Sequence, residues 1–223
     1  MRNSYTPKTV AFNEDSMPAN PQFGYKKWAC VTALLLSSLL TACSTPQPPM
    51  SKAVYDFGLA LAAPAATPAA ARNPALALPE IEAGAGLDSP ALLYRLQYQD
   101  AQQLRPYAQA RWSVPPAQLV RARLREALAA QGPVLPQEGI APWTLRVELD
   151  EFSQVFASPE SSQGLVRLRA SLFKGEQLAV QTSVLARAAA PSQDAAGGVR
   201  ALTAATDDAV RQIATWLAAQ IKP

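Results

Sequence analysis

Lys26-Lys27 are followed by thirteen residues without a charge, Trp28 to Leu40, and then by Thr41-Ala42-Cys43. This short apolar stretch decides how much of the 223-residue chain can enter a folded core. A helix needs about 20 apolar residues to cross the hydrocarbon of a bilayer. A stretch this short behind a basic pair reads as the h-region of a signal peptide. The segment 1–42 is therefore expected to be removed, and Met17 is a second candidate start. What remains has room for one domain of ordinary size.

The end of the stretch, Leu40-Thr41-Ala42-Cys43, resembles the lipobox of bacterial lipoproteins: aliphatic, small or hydroxylated, small, then cysteine. In that motif the thiol receives a diacylglycerol and the bond before it is cut. One acyl chain holds a protein to a membrane only marginally, whereas two or more anchor it stably. Cys43 is the expected lipidation site. The next residue, Ser44, is the sorting position. Serine there favours the outer membrane, periplasmic face, over the inner membrane. Residues 43–52 then form the lipidated cysteine and a Pro-rich tether, which in polyproline geometry at about 3.1 Å per residue reaches roughly 25–30 Å.

Composition removes several functions. The only cysteines are Cys30 and Cys43, and there is no histidine. The mature domain has no disulfide, no thiol, and no histidine for a structural zinc site or a histidine-based active site. Of the 20 basic residues, Arg2, Lys8, Lys26 and Lys27 precede Cys43, as do Glu14 and Asp15 among the 17 acidic ones. That leaves 16 against 15, a near-neutral domain with no argument for nucleic acid.

The rest reads as a run of strands with two helices. Val54 to Gly58 predicts a short strand, and residues 59–74 an Ala/Pro-rich loop. Ala75 to Glu82 predicts a second strand, demoted toward an edge by Pro79. Leu92, Tyr94, Leu96 and Tyr98 alternate with Leu93, Arg95, Gln97 and Gln99, a half-buried strand. Leu104 to Trp112 pairs back on it as a hairpin arm. Pro115-Pro116 open a helix with Leu119, Val120, Arg123, Leu124, Ala127 and Leu128 at helical spacing, closed by Gly132. Strands follow over Trp143 to Phe152, Leu165 to Phe173 and Leu178 to Ala188, the last two joined by a hairpin turn at 174–177. A long helix from about Asp194 to Ile221 ends the chain. The expected class is α/β: a single three-layer, sandwich-like domain over 53–223, with a mixed, largely antiparallel sheet and two main amphipathic helices.

Few side chains stand out. Arg111-Trp112 offers a partner contact, since Trp and Arg are enriched at interface hot spots. The alternative reading is a strand end with Trp112 in the core and Arg111 in water. Tyr94 and Tyr98 share a face with leucines and line either a lipid groove or the core. Glu148, Asp150 and Glu151 cluster near a strand end, where carboxylates can do acid–base work or hold a cation. The alternation puts Glu148 and Asp150 on the polar face of the strand, which reads as a solvated face. No nucleotide-binding motif is present, and no metal or cofactor is expected.

Tyr55-Asp56-Phe57-Gly58, Asp88-Ser89-Pro90 with Tyr94-Arg95, Tyr107 through Arg111-Trp112 to Pro115-Pro116, and Asp194-Ala-Ala-Gly-Gly-Val-Arg-Ala-Leu202 occur in order. In this the chain resembles the ABC-type transport auxiliary lipoprotein component family, the PqiC-like proteins, over about residues 53–220. The resemblance implies a fold similar to the TolB N-terminal domain. It also implies a non-enzymatic, outer-membrane lipoprotein that accompanies an MCE-domain protein and an ABC permease and ATPase. Such systems move phospholipid or other hydrophobic molecules and support envelope integrity. On this reading Arg111, Trp112, Tyr94 and Arg95 are the partner-binding candidates. Phospholipid is a further candidate ligand, and the apolar helix stripes would serve a homo-oligomer as readily as a core. The alternative is an assembly or pilot lipoprotein for another envelope machine, such as a secretin.

Overall fold

The computed structural model describes residues 51–59, 73–137 and 141–221. Cys43, Ser44 and most of the 59–74 segment lie outside them. The fold is organised on one long strand. Strand β7 (Trp143–Ser158) pairs along its length with β8 (Ser161–Lys174), which pairs with β9 (Gln177–Ala189), all antiparallel. The opposite edge of β7 carries three short strands in succession, all parallel to it. They are β2 (Leu76–Ala77) at its start, β3 (Glu82–Ala83) at its middle and β4 (Ala91–Leu96) at its end. Beyond β4 lie β5 (Leu104–Trp112), antiparallel to it, and β1 (Ala53–Tyr55), parallel to β5. A two-residue strand β6 (Val134–Leu135) completes a mixed sheet of nine strands.

Side-chain alternation explains the frame. Leu145, Val147 and Leu149 are almost fully buried, while Arg146 and Asp150 point to solvent. The register then shifts between Leu149 and Glu151. Such a bulge puts one extra residue into a strand and changes which parity faces inward. Beyond it Phe152 sits opposite Val166 and Gln154 opposite Gly164, both on the inner face. Gly164 is there because the backbone of Ala201 and Leu202 presses where a Cβ would stand.

Two helices cover that face. α1 (Pro116–Ala129) starts with proline at its first turn, where the missing N–H costs nothing, and buries Val120, Leu124 and Leu128. α2 (Ala195–Gln220) buries Val199, Leu202, Ala205, Ala209, Ile213 and Leu217 at spacings of three and four. Each fully buried leucine or valine contributes about 1.5–3 kcal/mol. The other face of β7 to β9 is polar, carrying Arg146, Glu148, Asp150, Arg167 and Arg169.

The α/β class, the mixed and largely antiparallel sheet and the two amphipathic helices expected from the sequence are all present. Two details differ. The predicted strand over 75–82 is broken around Pro79 into β2 and β3. β2 does not lie at an edge but between β6 and β7, because Pro79 falls after its two paired residues. The predicted strand ending at Phe152 runs on to Ser158, and its partner begins at Ser161 rather than Leu165.

Candidate functional site

The strand β1 ends in a tight turn. Gly58 has φ of 65°, a left-handed conformation that glycine adopts without strain, and its N–H donates to Asp56 Oδ1 at 2.8 Å. Arg123 of α1 fastens this turn. Its Nη2 donates to the Phe57 carbonyl at 2.9 Å, its Nε lies 3.1 Å from Asp207 of α2, and its guanidinium is 5.9 Å from the Phe57 ring centre. One side chain thus ties the first strand to both helices. Phe57 itself packs edge-on against Trp112 at 5.5 Å, and Trp112 against Phe152 at 5.6 Å.

Two depressions flank the turn. The larger, about 710 Å³, has apolar walls from Phe57, Leu119, Ala122, Ala129 and Val134, with Arg125 and Glu126 at its rim. The smaller, about 460 Å³, lies between Val54, Tyr55 and the first half of α2, with Thr203 and Asp207 in its lining. The first combines apolar surface with an exposed arginine, a combination that suits an amphipathic ligand or a partner's apolar side chain. It is not visible in the sequence, because its residues are spread over 56–58, α1 and β6. The one local signal is the charged pair Arg125-Glu126 on a helix whose buried positions are Val120, Leu124 and Leu128.

The residues singled out from the sequence do not converge. Trp112 is fully buried and its indole N–H has no hydrogen-bond partner, so it is a core residue that no partner can reach. Arg111, on the opposite side of the same strand, is exposed. Tyr94 is half-buried, 4.6 Å from the Tyr107 ring and 6.1 Å from Phe156. Arg95, its neighbour in sequence, points the other way. It donates from Nη1 to the Ala101 carbonyl at 2.8 Å and from Nη2 to Glu151 at 3.4 Å. The carboxylates are engaged too. Glu148 and Asp150 each lie 3.2 Å from Arg169, and Glu151 also accepts the Ser153 hydroxyl at 2.7 Å. Among the described residues no group of His, Cys, Asp and Glu could hold a metal, and no helix is long and apolar enough to cross a membrane.

A polar chain crosses the core beneath the N-terminus of α2. Tyr107 donates to Gln154 Oε1 at 2.8 Å, and Gln154 Nε2 donates to the Ser162 hydroxyl at 2.8 Å. Burial pushes the Tyr107 phenol up, keeping it protonated as a donor. Above it, the Asp194 carboxylate caps α2 by accepting the Gly197 N–H at 2.7 Å, and it also accepts the Ser192 hydroxyl at 2.7 Å. These two bonds, the first the larger, hold its carboxyl below the usual aspartate value. The Asp194-Ala-Ala-Gly-Gly motif is thus a cap plus two contact glycines.

The comparisons agree with this picture. The structure of protein XCC0632 from Xanthomonas campestris superposes with a TM-score of 0.57 at 16% identity, over 78% of this chain and 89% of that one. An uncharacterized protein gives the same TM-score and identity over 75% of this chain and 99% of that one. At such identity the likeness concerns the fold alone. No curated protein matches the chain. The sequence model of ABC-type transport auxiliary lipoprotein components matches residues 55–214, from Tyr55 in β1 to Ala214 in α2. That span holds α1, most of α2, most of the sheet and the Asp194 cap with Gly197-Gly198, and the chain belongs to the ABC-type transport auxiliary lipoprotein component family.

Proposed function

We propose that this protein is a non-enzymatic, outer-membrane lipoprotein subunit of an MCE/ABC-type system that moves lipid or another hydrophobic molecule. It is anchored through Cys43 on the periplasmic face and docks the periplasmic part of the transporter to the membrane. The observation that carries this reading is the family match over residues 55–214, read with the Leu40-Thr41-Ala42-Cys43 tetrad ahead of it. Two features support it. The acidic residues that would be candidates for chemistry are held in ion pairs with Arg169 and Arg95. The apolar depression beside Phe57 and the exposed Arg111 offer contact surface instead.

The test is isolation of the lipidated protein from its own membranes in mild detergent. An MCE-domain protein with a permease and an ATPase should come with it. A secretin in their place would favour the pilot-lipoprotein reading and overturn this one. Lipid extraction of the purified domain separates two roles: bound phospholipid supports carriage, and its absence leaves docking as the function.

A further inference from the structure

The direction in which the chain enters the domain, together with the length of the tether, selects the end that meets the membrane. β1 is parallel to β5 and pairs Ala53 with Ala110. The residues before Ala53 therefore arrive from the side on which β5 begins, at Leu104. Three connections meet at that end of the sheet: the 97–103 turn between β4 and β5, the turn between β7 and β8, and the link from β9 into α2. The opposite end holds the β8–β9 hairpin at Gly175 and the C-terminus of α2.

Nine residues, 44–52, separate Cys43 from β1. Fully extended they span at most about 30 Å. Ala53 lies about level with Phe152 of β7, and from there to Ser158 at the β7–β8 turn is six residues of strand, roughly 20 Å. A chain continuing in the direction it enters clears the near end with about 10 Å to spare. Ala53 lies level with the bulge of β7, because Ala91 is opposite Arg111 and Tyr94 opposite Gln154. From there to Trp143 is a further 25–30 Å, roughly, at strand rise. Turning the far end to the membrane would need the tether to reverse and stretch to its full length.

The near end also has the chemistry of a headgroup contact. It carries exposed Tyr98, with 42% of its surface open, beside Gln99, Gln102 and Gln103. Its charges include Asp100, Glu160, Asp194, Arg95 and Arg105, Arg95 donating to the Ala101 carbonyl at 2.8 Å and Arg105 to Gln103 Oε1 at 2.7 Å. Tyrosine rings settle at headgroup depth, where the ring is shielded and the hydroxyl stays wet.

We propose that the domain stands with its 97–103 and 158–161 turns, led by Tyr98, against the phospholipid headgroups of the membrane that holds the Cys43 lipid. The proposal rests on lipidation at Cys43. It leaves the β8–β9 hairpin pointing away into the periplasm.

The test uses the lipidated mature product, beginning at Cys43, in phosphatidylethanolamine/phosphatidylglycerol vesicles that contain a headgroup spin-labelled lipid. Cys43 carries the lipid as a thioether, so a cysteine introduced by Gln102→Cys or Glu176→Cys is the one thiol for a fluorophore. Quenching should be several-fold stronger at 102 than at 176. Equal quenching, or stronger quenching at 176, overturns the orientation. Flotation of the same samples reads the anchor separately. Protein that stays at the bottom of the gradient contradicts lipidation at Cys43, and the orientation falls with it.

Discussion

Gly198 of α2 sits directly over the side chain of Gln154, so that a methyl group at 198 would overlap the Gln154 Oε1 atom. Gln154 cannot swing aside freely. It is fully buried, and both ends of its amide are engaged by Tyr107 and Ser162. Gly198→Ala should therefore destabilise the domain by about 1–3 kcal/mol, the usual range for overpacking a filled core. The loss should appear as a lower urea midpoint at unchanged slope. A double-mutant cycle with Gln154→Ala should show coupling between the two sites, since the second change removes the atom that the methyl meets.

Asp194 gives the fold a pH dependence of known sign. Its carboxyl titrates lower in the folded chain than its ordinary value of 3.8, chiefly through the Gly197 N–H. A depressed carboxyl adds stability that is complete above the ordinary value and is lost as pH falls through the folded one. Asp194→Ala should cost about 1 kcal/mol at pH 7, as lost caps do. The gap between wild type and variant should narrow in urea titrations taken below pH 3.8. A gap that stays constant with pH would mean that the carboxylate is not the cap.

Trp112 and Arg111 are neighbours with opposite roles. Trp112→Ala should cost about 3–5 kcal/mol, as for other large core truncations. Trp112→Phe should cost far less, because the indole N–H has no partner to lose. Arg111→Ala should leave the thermal midpoint nearly unchanged, within about 0.5 kcal/mol, as exposed substitutions do. If Arg111 contacts the transporter, that variant should fold normally and bind its partner more weakly.

Arg123 should behave as a structural clasp. Arg123→Ala removes a hydrogen bond to the Phe57 carbonyl and an ion pair to Asp207 together. Hydrogen bonds to charged groups are worth about 1.5–3 kcal/mol. The expected result is a stability loss in that range, with faster amide exchange at residues 55–58. Asp207→Asn should cost less, since the bond to Phe57 survives it.

The local elements were legible where the chain advertises its own geometry. Lys174 to Gln177 read as a hairpin turn, and Gly175 does adopt φ of 57° between paired Lys174 and Gln177. Asp194 read as a helix start, and it is the cap. The extension of β7 to Ser158 was hidden because Phe152, Ser153, Gln154, Val155 and Phe156 are all buried. With both faces covered and a bulge just before, no alternation marks them as strand. The parallel pairing of β1 with β5 spans more than fifty residues and leaves no local trace. Arg123 was counted within the helical spacing of α1, which says nothing of what its side chain binds. Only the fold supplies its partners, Phe57 and Asp207. Gly197-Gly198 was visible as a pattern, but its reason is the buried glutamine in another strand.

Direct binding tests the proposed role of this lipoprotein as the docking subunit of a lipid-transport assembly. The purified mature domain is titrated with the purified periplasmic part of the MCE-domain protein from the same cell, with Arg111→Ala as a folded comparison. A docking subunit should form a saturable complex, with a Kd on the order of micromolar or tighter, and a weaker one for the variant. No binding at concentrations of about 100 µM, from a domain that melts cooperatively, would contradict it.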